Sequence, residues 1–250
     1  MIRVNANLFR IAYVATSTEA SRYYLNGVLV EPHHEKGAIL TATNGHILVS
    51  IHDETGHCDQ PTIVQLTKEA LKACPLKHVH RLLVIEDEKN PKASANIWET
   101  DATHWEIAGL DGGSRLQMVS HDCIVDGTFP DYRRVIPKKL RNVAPGAFSN
   151  FYLEDLGTVA AALGHHFLAE RPRRGDTKQV NSIQLVATGR DDDDPAAEPT
   201  LVLFPRNSQA FAVLMPVKSN LNKFEDRVLP SWFKGFEVKE EVAPQAAAAE

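Results

Sequence analysis

Along the chain the spacing of apolar and polar positions changes several times, and each change marks an element. Residues 1–6 alternate as a short strand does; Leu8, Ile11, Ala12 and Ala15 then recur at i, i+3, i+4 and i+7, the stripe of an amphipathic helix. A polar break leads to residues 23–30, rich in β-formers, and to a turn-like stretch at 31–37. Within residues 38–51 two β-rich runs meet at Asn44-Gly45, a pair suited to the positive φ angles of a tight turn, so a hairpin is expected. Residues 53–61 read as a loop, and Thr67 as the N-cap of a helix ending at Pro75. On that helix Leu66, Ala70, Ala73 and Cys74 share one side, while Lys68 and Lys72, four apart, fall on the other. Strands are expected at 81–86, 94–99, 103–108 and 115–125, separated by Lys/Asn/Pro, Asp and Gly112-Gly113 punctuation.

Residues 126–137 read Asp-Gly-Thr-Phe-Pro-Asp-Tyr-Arg-Arg-Val-Ile-Pro, a different kind of segment. Its two prolines fix φ, bias the residues before them away from helix and cannot donate to a sheet ladder. This is a stiff connector, with Phe129 and Tyr132 able to anchor it on a neighbouring surface. Beyond it, Ser149 or Asn150 caps a helix with Leu153, Leu156, Ala160 and Leu163 at helical spacing, Glu154 and Asp155 in its first turn and Gly164 as its stop. A basic loop at 171–178, a strand at 182–188, an acidic loop at 190–198 and strands at 200–204 and 210–217 complete the pattern. The whole is α+β: pseudo-repeated strand–helix–strands units, helices packed on antiparallel sheets. Residues 1–137 read as one domain, residues 138–218 as a second with one helix instead of two, and residues 219–250 as an extension. The extension keeps Phe224, Trp232, Phe233 and Phe236, but residues 239–250 lack the apolar bulk to fold.

Composition narrows the function more than it defines it. At 250 residues the chain can bury a good core, and 43% hydrophobic with 24% charged residues is ordinary globular usage. No run approaches the roughly 18 apolar residues of a membrane span, and Met1-Ile2-Arg3-Val4-Asn5 alternates where a signal peptide would open an apolar core. Cys58, Cys74 and Cys123 have no motif spacing, which fits a reduced cytoplasmic chain. A net charge of −5 argues against holding nucleic acid by overall charge and leaves local basic faces open. His52, His57 and Cys58, with His33 and His34 nearby, lack a second ligand pair, so a structural or solvated role is favoured over metal binding. Asp191–Asp194 lacks the spaced ligands and turn glycine of a calcium loop. With no nucleophile elbow and no phosphate-cradling glycine loop, neither catalytic residues nor a cofactor or metal is expected.

The order D-G-x-F-P-D-Y-R-R-V-I-P resembles the segment joining the second and third domains of the bacterial DNA polymerase III β sliding clamp. Arg22-Tyr23-Tyr24-Leu25-Asn26-Gly27-Val28-Leu29, Ala42-Thr43-Asn44-Gly45-His46 and Ala212-Val213-Leu214-Met215-Pro216-Val217 resemble further stretches of that clamp in the right order. The resemblance covers most of residues 1–218, as a second domain followed by a shortened third; the clamp's first domain has no counterpart.

The resemblance implies a DNA-clamp-like fold and a processivity factor associating with duplex DNA without sequence specificity. Helices of that fold line the DNA channel, which would place Lys68 and Lys72 there, with Lys77, His78, His80 and Arg81 alongside. Arg22 stands beside Tyr23 and Tyr24, which match the clamp's paired DNA-contacting tyrosines. A groove of the fold receives short peptides from DNA polymerases and the clamp loader. Its matching positions are Thr43, Gly45, His46 and Leu48; Pro130, Arg134 and Val135; and Met215, Pro216 and Val217. Clamps usually carry Asp and Arg around this glycine–histidine pair, where Asn44 and Ile47 stand here, so the polar part of the groove is expected to differ. A homo-oligomer is implied, although two copies would bring six of these helices, half of what the usual ring uses. Two alternatives stay open: a non-encircling module that binds or competes for clamp-binding peptides, and an enzyme using the His/Asp-rich loops. Val228-Leu229-Pro230-Ser231-Trp232-Phe233 resembles the apolar end of clamp-binding peptides without their leading glutamine.

Overall fold

Asn5 ends the first strand and starts the first helix. β1 (Ile2–Asn5) leads directly into α1 (Ala6–Ala12), and the Asn5 carboxamide oxygen accepts from the amides of Asn7 at 2.9 Å and Leu8 at 3.3 Å. Those are two of the first-turn donors that a helix cannot satisfy itself. A 3-10 turn, Tyr13–Ala15, prolongs α1, and Leu8, Ile11, Ala12 and Ala15 are all buried, as their spacing requires. The computed structural model describes residues 1–74, 76, 81–86, 94–99, 114–120, 122–136, 148–167, 182–186, 199–205 and 207–217.

The remaining elements are β2 (Val28–Pro32), β3 (Ala38–Thr43), β4 (Ile47–Asp53), β5 (His57–Cys58), β6 (Thr62–Val64), α2 (Lys68–Ala73), β7 (Arg81–Glu86), β8 (Ser94–Glu99), β9 (Ser114–Ser120), β10 (Ile124–Val125), α3 (Asn150–Phe167), β11 (Gln184–Val186), β12 (Thr200–Phe204) and β13 (Asn207–Leu214). They build an α+β fold on two antiparallel sheets. One runs β5-β1-β7-β8-β9; the other runs β10-β6-β2-β3-β4-β13-β12-β11. In the larger sheet β13 pairs with β4, Val213 opposite Leu48 and Leu214 opposite Ile47, so strands from both sides of the connector share one ladder.

At β2 and β4 both faces of the larger sheet are buried, which explains their near-continuous apolar runs. Alternation sends Val28, Val30, Ile47, Val49, Ala212 and Leu214 to the main core, with α1, α2 and α3. The intervening Leu29, Leu48, Ile63 and Val213 face the other way and form a second cluster with Tyr132 of the connector. Burial of each such large side chain contributes about 1.5–3 kcal/mol, so the connector is held by apolar contact as well as by its backbone stiffness.

Several expectations need correcting. Residues 23–25 belong to a 3-10 segment, Ala20–Leu25, and the strand begins only at Val28, because turn bonds such as Asn26 N–H to the Tyr23 carbonyl at 3.0 Å compete with a ladder. The loop at 53–61 contains β5, which pairs with β1. α3 starts at Asn150, so Glu154 and Asp155 fall beyond the first turn, and it runs past Gly164 to Phe167. Burial of Leu163 and Gly164 overrides the ~1 kcal/mol helix penalty of a glycine. Met215, Pro216 and Val217 follow β13 and do not belong to it. Residues 103–108, Gly112-Gly113, Lys77, His78, His80, the loops at 171–178 and 190–198 and residues 219–250 lie outside the described residues. Among the described residues no helix is long and apolar enough to cross a membrane.

Candidate peptide groove

The tip of the β3–β4 hairpin is built by side chains that take over backbone hydrogen bonds. The Thr43 hydroxyl donates to the Ile47 carbonyl at 2.7 Å and accepts from Gly45 N–H at 3.1 Å; the Asn44 carboxamide oxygen accepts from His46 and Ile47 N–H at 2.9 and 3.0 Å. Gly45 alone of the expected pair has positive φ, +90°; among described non-glycine residues only Asp122 does. The turn is therefore a three-residue loop held by an Asn side chain and not a two-residue turn. At Gly45 a Cβ would lie 2.8 Å from an Arg22 guanidinium nitrogen, so the missing side chain also lets that cation cross the loop. Arg22 is fixed there by Glu19, Nε to Oε2 at 2.8 Å and Nη2 to Oε1 at 2.5 Å, and this bond holds the Glu19 carboxyl below its usual range.

Three other segments meet this loop. Met215 N–H donates to the His46 carbonyl at 2.9 Å, tying the chain after β13 to the hairpin. Tyr152, in the first turn of α3, stacks on the His46 ring at 5.0 Å between centroids and 16° between planes. The connector contributes Pro130, Asp131, Tyr132 and Val135 to the same surroundings. Between them is a cavity of about 290 Å³, lined by Thr43, Gly45, His46 and Leu48 of the hairpin, Pro130 and Val135 of the connector, and Met215. The lining also includes Arg22, Tyr24, Leu25, Ile47, Asp131, Tyr132 and Val213. Arg134 is not in the lining; it is exposed and donates to Asp131 at 2.9 Å. Pro216 and Val217 also lie off the cavity wall, and Val217 is exposed.

Of the lining residues not predicted for the groove, Ile47, expected only to change its polarity, adjoins Leu48 in β4, and Val213 lies in β13 two residues before Met215. Tyr132 could be read as an anchor but not as a wall. Arg22 and Tyr24, expected from the resemblance to contact DNA, lie in the 3-10 segment and also line the cavity. Tyr23 is 51% exposed, contacts Tyr24 edge-to-face at 5.7 Å, and with it covers Gly127, where a Cβ would be 3.1 Å from Tyr24 Cβ and 3.3 Å from Tyr23 Cε2. The two tyrosines therefore sit over the start of the connector.

On α2, Thr67 caps the helix by accepting Ala70 N–H at 3.2 Å, and Lys68 and Lys72 are exposed opposite buried Ala70, Leu71 and Ala73. Arg81 instead donates to the Ala73 carbonyl at 2.7 Å, which caps the C-terminal end of α2. The His33 ring lies 4.2 Å from those of both His34 and His52, His52 Nε2 bonds the Lys36 carbonyl at 2.8 Å, and His57 Nε2 bonds Asp59 at 2.9 Å. Cys58 is buried, and no three of these groups, nor any other His, Cys, Asp or Glu among the described residues, are placed to share a metal ion. Burial pushes the thiols of Cys74 and Cys123 up to about 12 and about 11.

No protein-family model and no curated protein sequence matches the chain. Among solved structures it is similar to the DNA polymerase III subunit β sliding clamp of Bartonella birtlesii, at 19% identity and TM-score 0.49, over 87% of this chain and 66% of that one. It is also similar to the β sliding clamp of Caulobacter crescentus (20% identity, TM-score 0.47, 87% and 66%) and to the DNA polymerase sliding clamp of Bacillus subtilis (15%, 0.49, 87% and 64%). The chain thus spans just under two thirds of the length of those clamps.

Proposed function

We propose that this protein is a sliding-clamp-like factor of DNA replication that takes short peptides of polymerases and clamp loaders in the cavity beside the hairpin tip. The observation that carries the reading is convergence. The stretches that resemble the β clamp in sequence are far apart in the chain, around residues 22–25, 43–48, 130–135 and 213–215, and all contribute to one wall. Such a wall suits an extended peptide: apolar Leu48, Val135, Val213 and adaptable Met215 take side chains, and a few polar groups fix direction. Ile47 makes the tip more apolar than in the usual clamp, so apolar peptide side chains supply most of the affinity.

Association with duplex DNA through Lys68 and Lys72, and assembly of several copies, belong to the same proposal and rest on the sequence resemblance. One structural observation weights the alternative, a non-encircling module that competes for clamp-binding peptides. Arg22 and Arg81, two of the cations assigned to DNA, are engaged by Glu19 and by the Ala73 carbonyl. Peptide capture is common to both readings.

The test is fluorescence anisotropy with a labelled peptide of the clamp-binding type, carrying a leading glutamine and an apolar end. The unaltered protein binds it saturably, and Met215→Glu weakens binding at least tenfold, about 1.4 kcal/mol, while the folded state persists. Equal affinity for the variant removes Met215 from the site, and absence of binding by the unaltered protein overturns the reading.

A further inference from the structure

The far side of the connector holds a second feature, which the peptide reading does not use. A broad cleft of about 960 Å³ lies there, and Glu31 of β2 is at its floor. Glu31 has a side chain only 8% exposed and lies 101 residues from its principal partner. The Tyr132 hydroxyl donates to Glu31 Oε1 at 2.7 Å, and the Arg133 guanidinium donates to the same oxygen. The Arg133 guanidinium carbon also lies 4.9 Å from the centroid of the Tyr132 ring, so one carboxylate, one phenol and one guanidinium close a three-membered latch.

Tyr132 is the residue through which this latch reaches the groove. It is 5% exposed, packs on Leu29, Leu48, Ile63 and Val213, and borders both the cleft on one side and the peptide cavity on the other. Its neighbours in the connector, Pro130 and Val135, form the cavity's outer wall. Apolar contact alone fixes how deep a ring lies but leaves its rotation and slide on the sheet loosely determined; a charge-assisted bond at the tip removes that freedom.

We propose that Glu31 is a positioning residue for the groove: through Tyr132 and Arg133 it sets where the connector stands over the larger sheet, and hence the width of the peptide cavity, without itself touching peptide. The inference rests on the peptide reading above. The latch makes the free cavity pre-formed, so the peptide does not spend binding energy on ordering the wall. Glu31→Gln keeps the shape and an acceptor oxygen but removes the charge that holds Arg133 and strengthens the Tyr132 bond.

The experiment is a double-mutant cycle on peptide affinity, read by anisotropy on the full chain, with Glu31→Gln, Tyr132→Phe and the pair, each accompanied by a thermal melt. Glu31→Gln raises Kd about tenfold, Tyr132→Phe about fivefold, and the double variant no more than about twofold beyond Glu31→Gln, because both changes release the same wall. The melt separates this from a purely stabilising role. A lowered Tm with unchanged Kd, or strictly additive Kd effects, overturns the inference while leaving the groove intact. Failure of the unaltered protein to bind peptide overturns the groove and the positioning role together. Where Glu31→Gln does not fold, Tyr132→Phe with Arg133→Gln runs the same cycle from the connector side, and additivity there overturns the inference equally.

Discussion

Tyr132 shows how much one side chain can be asked to do. Burial, helped by the neighbouring Glu31 carboxylate and opposed by the Thr41 hydroxyl and Arg133, pushes its phenol up to about 12. An unfolded tyrosine ionises near 10. Between these values the folded state keeps a proton that the unfolded state releases, so the contribution to stability is complete below about pH 10 and is lost as pH rises toward 12. Unfolding free energy measured in urea therefore falls over that window, and Tyr132→Phe makes the fall shallower, leaving the slope due to Tyr13, Cys74 and Cys123, whose pKa values burial also raises. An unchanged slope in the variant would mean that the Tyr132 hydroxyl is not buried in solution. At the same scale, Gly127 matters for what it lacks, since a Cβ there would press on Tyr24 Cβ at 3.1 Å and on Tyr23 Cε2 at 3.3 Å.

Among the elements, the short helices depend on their caps. α1 and α2 span only seven and six residues, too few to persist by propensity, so a helix without its cap has few internal bonds to fall back on. Asn5→Ala removes the acceptor for two amides, Thr67→Ala the acceptor for one. Each costs about 1 kcal/mol. Asn5→Ala is the more damaging, because it strips two amides of their acceptor where Thr67→Ala strips one, and its strand and helix are both core elements; the Asn5 backbone N–H, which donates to the buried Asp53 carboxylate at 2.7 Å, is kept in the variant. Chemical denaturation orders the two variants; a larger loss at Thr67 would contradict this account. The hairpin, the connector and α3 show the complementary case, in which elements are fixed by one another: His46 by Tyr152, the connector by Glu31, the chain after β13 by the hairpin carbonyl.

For the molecule as a whole, the question is where its exposed cations act. Lys68 and Lys72 project from α2 on a chain of net charge −5, so any attraction to duplex DNA is local and strongly screened by salt. Lys68→Glu together with Lys72→Glu weakens retention on closed circular DNA and reduces its salt slope by about two, one for each phosphate that is no longer neutralised. Light scattering of the same samples tells whether assembly changes with it. Unaltered retention and slope would leave the non-encircling module as the better description.

The sequence by itself determined the elements whose information is local. The stripe Leu8, Ile11, Ala12, Ala15, the hairpin at Asn44-Gly45 and the Thr67 cap could be read because period, turn chemistry and capping act over a few residues. Even there the reading failed where local preference lost to packing or to a turn bond, as at Gly164 and at Tyr23-Tyr24. The cavity was legible in part: resemblance supplied Thr43, Gly45, His46, Leu48, Pro130, Val135 and Met215, while Arg22, Tyr24 and Tyr132, read for other roles, line it as well. Tertiary structure alone decided that β13 pairs with β4, that Arg22 crosses Gly45, that Tyr152 stacks on His46 and that Glu31 receives Tyr132 from 101 residues away. The physical reason is the same in each case. These contacts depend on which faces of a sheet and which ends of distant segments come within a few ångströms once the core is closed, and no local pattern of apolar and polar residues encodes that distance.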